Sequence, residues 1–78
     1  MTLFADGFED AFLGYGRQFN KLLAIYDYDK CIDILHKRDG MTLTDALEYM
    51  EFNVVGAYVG EHTPVFLRYG SIGDFDHE

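Results

Sequence analysis

Two aspartates that follow a short apolar run have the spacing of a phosphoryl-transfer site. Asp27 and Asp29 come directly after the apolar residues 22–26 (LLAIY). In such an Asp-x-Asp pair, one carboxylate acts as the nucleophile and the other as the general acid–base. That chemistry also needs Lys and Asp residues supplied by a doubly wound sheet, which 78 residues cannot build. The two residues also suit a helix start, because carboxylates there accept hydrogen bonds from free N–H groups and complement the helix dipole. We therefore assign them to helix capping.

Calcium binding and cysteine chemistry do not fit the spacing either. An EF-hand loop beginning at Asp27 needs Gly at its sixth position and Glu at its twelfth, where Ile32 and Arg38 stand. Cys31 and His36 are five residues apart, so on a helix they do not share a face as a nucleophile–base pair would. Cys31 lies on an apolar stripe and is expected to be a buried hydrophobe. We predict no catalytic residue, no metal site and no cofactor.

Helix signals are clearest in the middle of the chain. Asp27 is a predicted N-cap and Gly40 a predicted stop, which places one helix over residues 28–39. Its apolar stripe has i, i+3, i+4, i+7 spacing and consists of Tyr28, Cys31, Ile32 and Leu35. Thr42 is the predicted N-cap of a second helix, with Asp45 three residues later. The short connection makes the two helices antiparallel or crossed neighbours.

The remaining segments predict a small sheet. Residues 22–26 fit a buried strand. Residues 54–59 either extend the second helix or form a hairpin with residues 65–69, and the β-branched residues, glycines and Pro64 favour the hairpin. In the N-terminal segment, residues 7–13 are expected to form a short helix that ends at Gly14 and Gly16. Residues 17–21 then form a polar connection with its turn at residues 20–21.

These elements predict the fold class α+β. We expect a single small domain in which two antiparallel or crossed helices pack on one face of a two- to three-stranded sheet. Residues 1–23 are the N-terminal segment, residues 24–69 the core, and residues 70–78 a flexible acidic tail.

The composition narrows the classes of partner. The chain carries 14 Asp and Glu against 6 Lys and Arg, for a net charge of −8. This balance argues against direct binding to nucleic acid, since that affinity comes largely from cationic side chains on phosphates. It also argues against attachment to an anionic membrane. The single cysteine and the lack of an export signal predict a cytoplasmic protein. A core this small needs further support, for which formation of a homodimer is one route.

Most acidic residues fall off the apolar stripes and are expected to face water. The ordinary interpretation is a solvated surface. The sharper hypothesis is a face whose carboxylates imitate the phosphates of a duplex and occupy a basic groove on another protein. Aromatic residues interleave with the acids, as interfaces with aromatic anchors inside a charged rim require. The predicted contact residues project from the two helices and are Asp29, Asp33, Glu48, Tyr49 and Glu51.

Residues 24–67 also carry a resemblance. Their most specific pieces are YDYDKC, RDGMT and EFNVVGAYVGEHTP. This pattern resembles a group of small proteins encoded in bacteriophage and bacterial genomes, for which no activity is established. The resemblance implies a phage or prophage setting, where small acidic proteins commonly bind and inhibit host machinery. No catalytic residue follows from it.

The leading hypothesis is therefore a small acidic, non-enzymatic protein-binding module, most consistent with a phage accessory factor that inhibits a host protein. One alternative is a self-assembling structural or scaffold protein. The other is a small enzyme or ligand-binding protein whose site is formed by a dimer from Asp27, Arg17 and His62.

Overall fold

The chain folds into one small α+β domain with two helices and a three-stranded mixed sheet. The computed structural model describes residues 1–70. In chain order, the elements are a 3-10 turn at Glu9–Ala11, strand β1 at Phe12–Gln18, strand β2 at Lys21–Asp27, helix α1 at Tyr28–Arg38, helix α2 at Leu43–Tyr49, a π-helical segment at Met50–Val55 and strand β3 at Val65–Leu67. The predicted fold class is confirmed.

Strand β2 is the centre of the sheet, whose order is β1-β2-β3. β1 and β2 form an antiparallel hairpin in which Gln18 pairs with Lys21. β3 runs parallel to β2, with Phe66 opposite Tyr26. Two parallel strands cannot be joined by a tight turn and need a long crossover connection. Between β2 and β3 this connection contains both helices, the π-helical segment and residues 57–64. The strand predicted at residues 22–26 is confirmed.

The N-terminal segment differs from the prediction. The expected helix over residues 7–13 is wrong, because only Glu9–Ala11 form a 3-10 turn and a strand begins at Phe12. Gly14 and Gly16 lie inside that strand and do not end a helix. A Cβ at Gly16 would stand 2.6 Å from Cδ1 of Ile25 on the neighbouring strand, so this glycine lets an isoleucine lie across the sheet.

The polar connection expected at residues 17–21 is also shorter than predicted. Arg17 belongs to β1 and Lys21 to β2, which leaves Phe19 and Asn20 as a two-residue turn. Phe19 is in the left-handed region with φ 55°, a conformation that a residue with a Cβ adopts only under strain. Its side chain is 93% exposed, so no packing of its own compensates for that strain.

Helix α1 follows the prediction closely. The carboxylate of Asp27 accepts a hydrogen bond from the backbone N–H of Lys30 at 3.1 Å, which confirms the N-cap. The predicted stripe of Tyr28, Cys31, Ile32 and Leu35 is buried. The N-cap of α2 is confirmed as well, since Oγ1 of Thr42 accepts a hydrogen bond from the N–H of Asp45 at 3.1 Å.

The preferred hairpin of residues 54–59 with residues 65–69 is wrong. The helix continues past Tyr49 as the π-helical segment, and Val54 and Val55 are its last residues. Met50 is fully buried and Val54 packs on the same core one helical turn later, so tertiary packing outweighs the strand preference of valine. The segment ends at Gly56, where a Cβ would stand 2.6 Å from the backbone oxygen of Glu51.

The core lies between the inner face of the sheet and the helices. Its buried residues are Phe8, Ala11, Ala24, Tyr26, Tyr28, Cys31, Ile32, Leu35, Ala46 and Met50, and the partly buried Val54 and Phe66 pack against them. Phe8 and Ala11 thus belong to the core, although they precede the predicted core boundary at residue 24. The predicted acidic tail, apart from Gly70, lies outside the described residues.

The turn generates a first prediction. Substitution Phe19→Gly should raise the free energy of unfolding by about 0.5–1 kcal/mol, because glycine adopts a positive φ without strain while losing more entropy on folding. Urea denaturation measures the change. Phe19→Ala is the matched control, since it removes the ring but keeps the Cβ. An equal gain from Phe19→Ala, or no gain from Phe19→Gly, would contradict the strain.

Candidate functional site

The predicted contact residues are accessible but do not form one cluster. Asp29, Glu48, Tyr49 and Glu51 are exposed, and Asp33 is half-buried. The carboxylate of Asp33 forms an ion pair with Lys37 one helical turn later, at 3.2 Å. The other four belong to two further environments, around Tyr28 and along helix α2.

Glu51 has a structural partner. Its carboxylate accepts a hydrogen bond from the hydroxyl of Tyr28 at 2.6 Å, and the guanidinium of Arg68 lies 5.0 Å from the centre of the same ring. The π-helical segment, the start of α1 and the residue after β3 thus meet at one side chain. Asp29 is close enough to act on Tyr28 electrostatically. Glu51 therefore holds the fold together here, whatever else it contacts.

Glu48 and Tyr49 instead line a groove along helix α2, which we call the α2 groove. Its volume is about 390 Å³, and its lining residues are Met41, Asp45, Glu48, Tyr49, Phe52 and Asn53. Phe52 is 77% exposed and Tyr49 is 40% exposed, so the aromatic rings are open to a partner. Asp45 and Glu48 are exposed, and among the described residues neither forms an ion pair. The groove therefore combines exposed aromatic rings with carboxylates that form no ion pair among the described residues.

Charge is segregated along the chain in a way that isolates this groove. Residues 39–67 contain five carboxylates and no Lys or Arg. Asp45 and Glu48 are three residues apart, which makes them neighbours on the surface of α2. Asp45 and Phe52 are missing from the residues predicted as contacts. The signal for them was present in the sequence, as the cation-free run and as the three- and four-residue spacing around Glu48 and Tyr49.

The β1–β2 hairpin has the opposite charge. Residues 11–26 contain Arg17 and Lys21 but no Asp or Glu. The two cations flank the turn that exposes Phe19, and we call these three residues the hairpin tip. Within residues 1–70, neither Arg17 nor Lys21 forms an ion pair. Sequence analysis placed these residues in a connection and so missed them as a surface.

Asp27 and Arg17, two of the three residues considered for a dimer-formed site, lie far apart within one copy. Asp27 caps α1, whereas Arg17 pairs with Leu22, five residues and about 17 Å back along β2. His62 lies in the connection before β3. The prediction that Cys31 is buried is confirmed, since its exposed fraction is 0%. Burial, with a smaller contribution from Asp27, raises the pKa of the Cys31 thiol to about 11, so the thiolate does not form near neutral pH.

A second cavity of about 250 Å³ lies between the N-terminal segment and the π-helical segment. Phe8, Val54 and Phe66 line it, with Asp6 and Asn53 as polar groups. It is smaller than the roughly 300–1,000 Å³ usual for ligand sites. In the described part of the chain, no three His, Cys, Asp or Glu residues are placed to hold a metal ion. Over the same residues, no helix has the length and apolar character to cross a bilayer.

No protein-family model, curated protein or solved structure matches this chain. The α2 groove and the hairpin tip are therefore interpreted from their own chemistry.

The cluster around Tyr28 generates a prediction about pH. Burial, and then the hydrogen bond and charge of Glu51, raise the pKa of Tyr28 to about 12 from an ordinary value of 10.0. Between these values the folded chain retains a proton that the unfolded chain releases. The free energy of unfolding should therefore fall as pH rises from 10 to 12, by up to about 1.4 kcal/mol per pH unit from this group.

Urea denaturation across this pH range should show a shallower fall for Tyr28→Phe. Both proteins should carry Cys31→Ala, because the buried thiol also retains its proton between pH 9 and about 11. Parallel curves for the two proteins would contradict the assignment.

Proposed function

We propose that the chain is a non-enzymatic protein-binding module that uses the α2 groove to bind a basic, aromatic-accepting surface on another protein. The observation that carries this proposal is the combination of exposed rings at Tyr49 and Phe52 with the carboxylates of Asp45 and Glu48. Aromatic anchors supply contact area, and complementary charge steers encounter and discriminates between partners.

The segregation of charge supports a cationic partner. A partner that approaches the α2 groove meets no Lys or Arg from residues 39–67. Residues 39–67 thus supply no cation that would offset attraction to a basic surface, and at physiological salt this attraction acts over about 8 Å. Exposed ion pairs contribute little individually, so the rings must supply much of the affinity and the carboxylates the choice of partner.

We extend the proposal to nucleic-acid mimicry. Asp45 and Glu48 are three residues apart on an α-helix, an axial step of about 4.5 Å. One strand of B-DNA presents one phosphate per roughly 3.4 Å of axis. Two closely spaced carboxylates present local negative charge of the kind that a phosphate backbone offers to the groove that holds it. A phage accessory factor that inhibits such a host protein is the biological setting that the resemblance of residues 24–67 implies.

The test compares two charge-reversal variants. Asp45→Lys/Glu48→Lys changes the α2 groove, and Asp10→Lys/Glu61→Lys makes the same change in net charge at exposed sites outside it. Glu51 is left intact because it accepts the hydrogen bond from Tyr28. Each tagged protein is used to capture partners from a bacterial lysate at ~0.1 M salt, and captured proteins are eluted with duplex DNA.

We expect the wild type and the control variant to capture the same partner. The groove variant should capture at least tenfold less of it, and duplex DNA should displace it from the wild type. Equal retention by the groove variant would contradict the proposed surface. If duplex DNA does not displace the captured partner, nucleic-acid mimicry is contradicted but the proposed binding surface is not.

A further inference from the structure

We infer that the α2 groove also accepts the hairpin tip of a second copy of this chain, so that the protein associates head to tail. This inference rests on the α2 groove being a protein-binding surface, as proposed above. It adds the identity of one partner and the geometry of the contact.

The hairpin tip has the features of an inserting element. Phe19 is 93% exposed and is held in the left-handed region by a two-residue turn, so the ring projects at the end of a paired hairpin. Within one copy, the strain at Phe19 is not compensated by packing of its ring. Uncompensated backbone strain often occurs at functional sites, and here it suggests that the ring binds a partner. Arg17 and Lys21 place positive charge on either side of the ring.

The α2 groove complements this element in charge and in chemistry. Its volume of about 390 Å³ is large enough for an aromatic side chain, and Met41, Tyr49 and Phe52 are its apolar lining residues. Aromatic pairs and sulfur–ring contacts favour a phenyl ring in such a site. Asp45 and Glu48 stand at the same groove and can pair with the two cations. No residue of the hairpin tip lines the groove of its own chain.

The two surfaces are different, so the contact is heterologous. Each copy offers one hairpin tip and one α2 groove, and repetition of the same contact produces a closed ring or an open row of copies. A hairpin tip bound in the α2 groove would compete with a basic partner protein for that groove. Self-association would therefore reduce the number of grooves available to the partner.

Two variants separate the two halves of the contact. The tip variant is Arg17→Gln/Phe19→Gly/Lys21→Gln, and the groove variant is Asp45→Lys/Glu48→Lys. Matched controls place similar changes elsewhere, as Lys30→Gln/Lys37→Gln and as Asp10→Lys/Glu61→Lys. Purified proteins at high micromolar concentration are examined by sedimentation velocity at ~0.1 M and ~1 M salt.

The wild type and both controls should self-associate at ~0.1 M salt and dissociate at ~1 M salt. Each variant alone should associate at least tenfold more weakly. The tip variant keeps an intact groove, and the groove variant keeps an intact tip. An equimolar mixture of the two should therefore form a dimer through this one contact and nothing larger. This rescue also shows that both variants are folded.

A monomeric wild type would overturn the inference, and so would association that survives in either variant. The latter result would indicate a symmetric contact, for example between the uncovered outer faces of two sheets. Neither result bears on capture of a basic partner from lysate, so the proposed function is judged separately. If the wild type self-associates but captures no basic partner from lysate, the proposed function is contradicted and the inference of self-association is not.

Discussion

The fold depends on the contacts of Tyr26, near the end of β2, the central strand of the sheet. Its hydroxyl accepts a hydrogen bond from the N–H of Ala5 at 2.8 Å, which fixes the N-terminal segment. Its ring meets Phe12 at 5.6 Å and Phe66 at 5.7 Å between centroids, which joins both neighbouring strands. Each such ring pair contributes about 0.5–1.5 kcal/mol beyond its buried area. The next residue, Asp27, caps α1, so one dipeptide positions the sheet and starts the helices.

The surfaces follow from that arrangement. Because β3 pairs parallel to β2, both helices are confined to the connection between them, and the acidic residues 39–67 form most of that connection. Of the six Lys and Arg residues, Arg17 and Lys21 lie on the hairpin that precedes this run, and Lys30, Lys37 and Arg38 lie on α1. The hydrogen bond from Tyr28 to Glu51 then holds the π-helical segment against α1. The cation-free residues 39–67 and the acid-free residues 11–26 thus belong to different parts of the fold. π-Helical turns often occur at functional sites, which agrees with the position of Phe52 and Asn53 in the α2 groove.

The sequence predicted those elements whose signals are local. Asp27, Thr42 and the stripe of α1 identify helix starts and a buried face without knowledge of any neighbour. Strand β1 escaped prediction because Gly16 serves a contact across the sheet with Ile25, and a glycine in isolation indicates a break. The parallel pairing of β3 with β2 escaped prediction because it joins residues forty positions apart in the sequence. Among the residues that line the α2 groove, Glu48 and Tyr49 belong to the predicted contact residues. The strain at Phe19 could not be predicted, because it depends on the conformation of the turn.

We propose that the α2 groove binds a cationic element that packs against the rings of Tyr49 and Phe52, as the hairpin tip would. A direct measurement is an NMR titration of the isotopically labelled tip variant, which has no competing tip, with a cyclised peptide of residues 17–21 (RQFNK). The account predicts amide shift changes confined to residues 41–53, lost when Phe19 of the peptide is replaced by Ser, and weakened at ~1 M salt. Changes centred elsewhere, or equal changes with the Ser peptide, would contradict it.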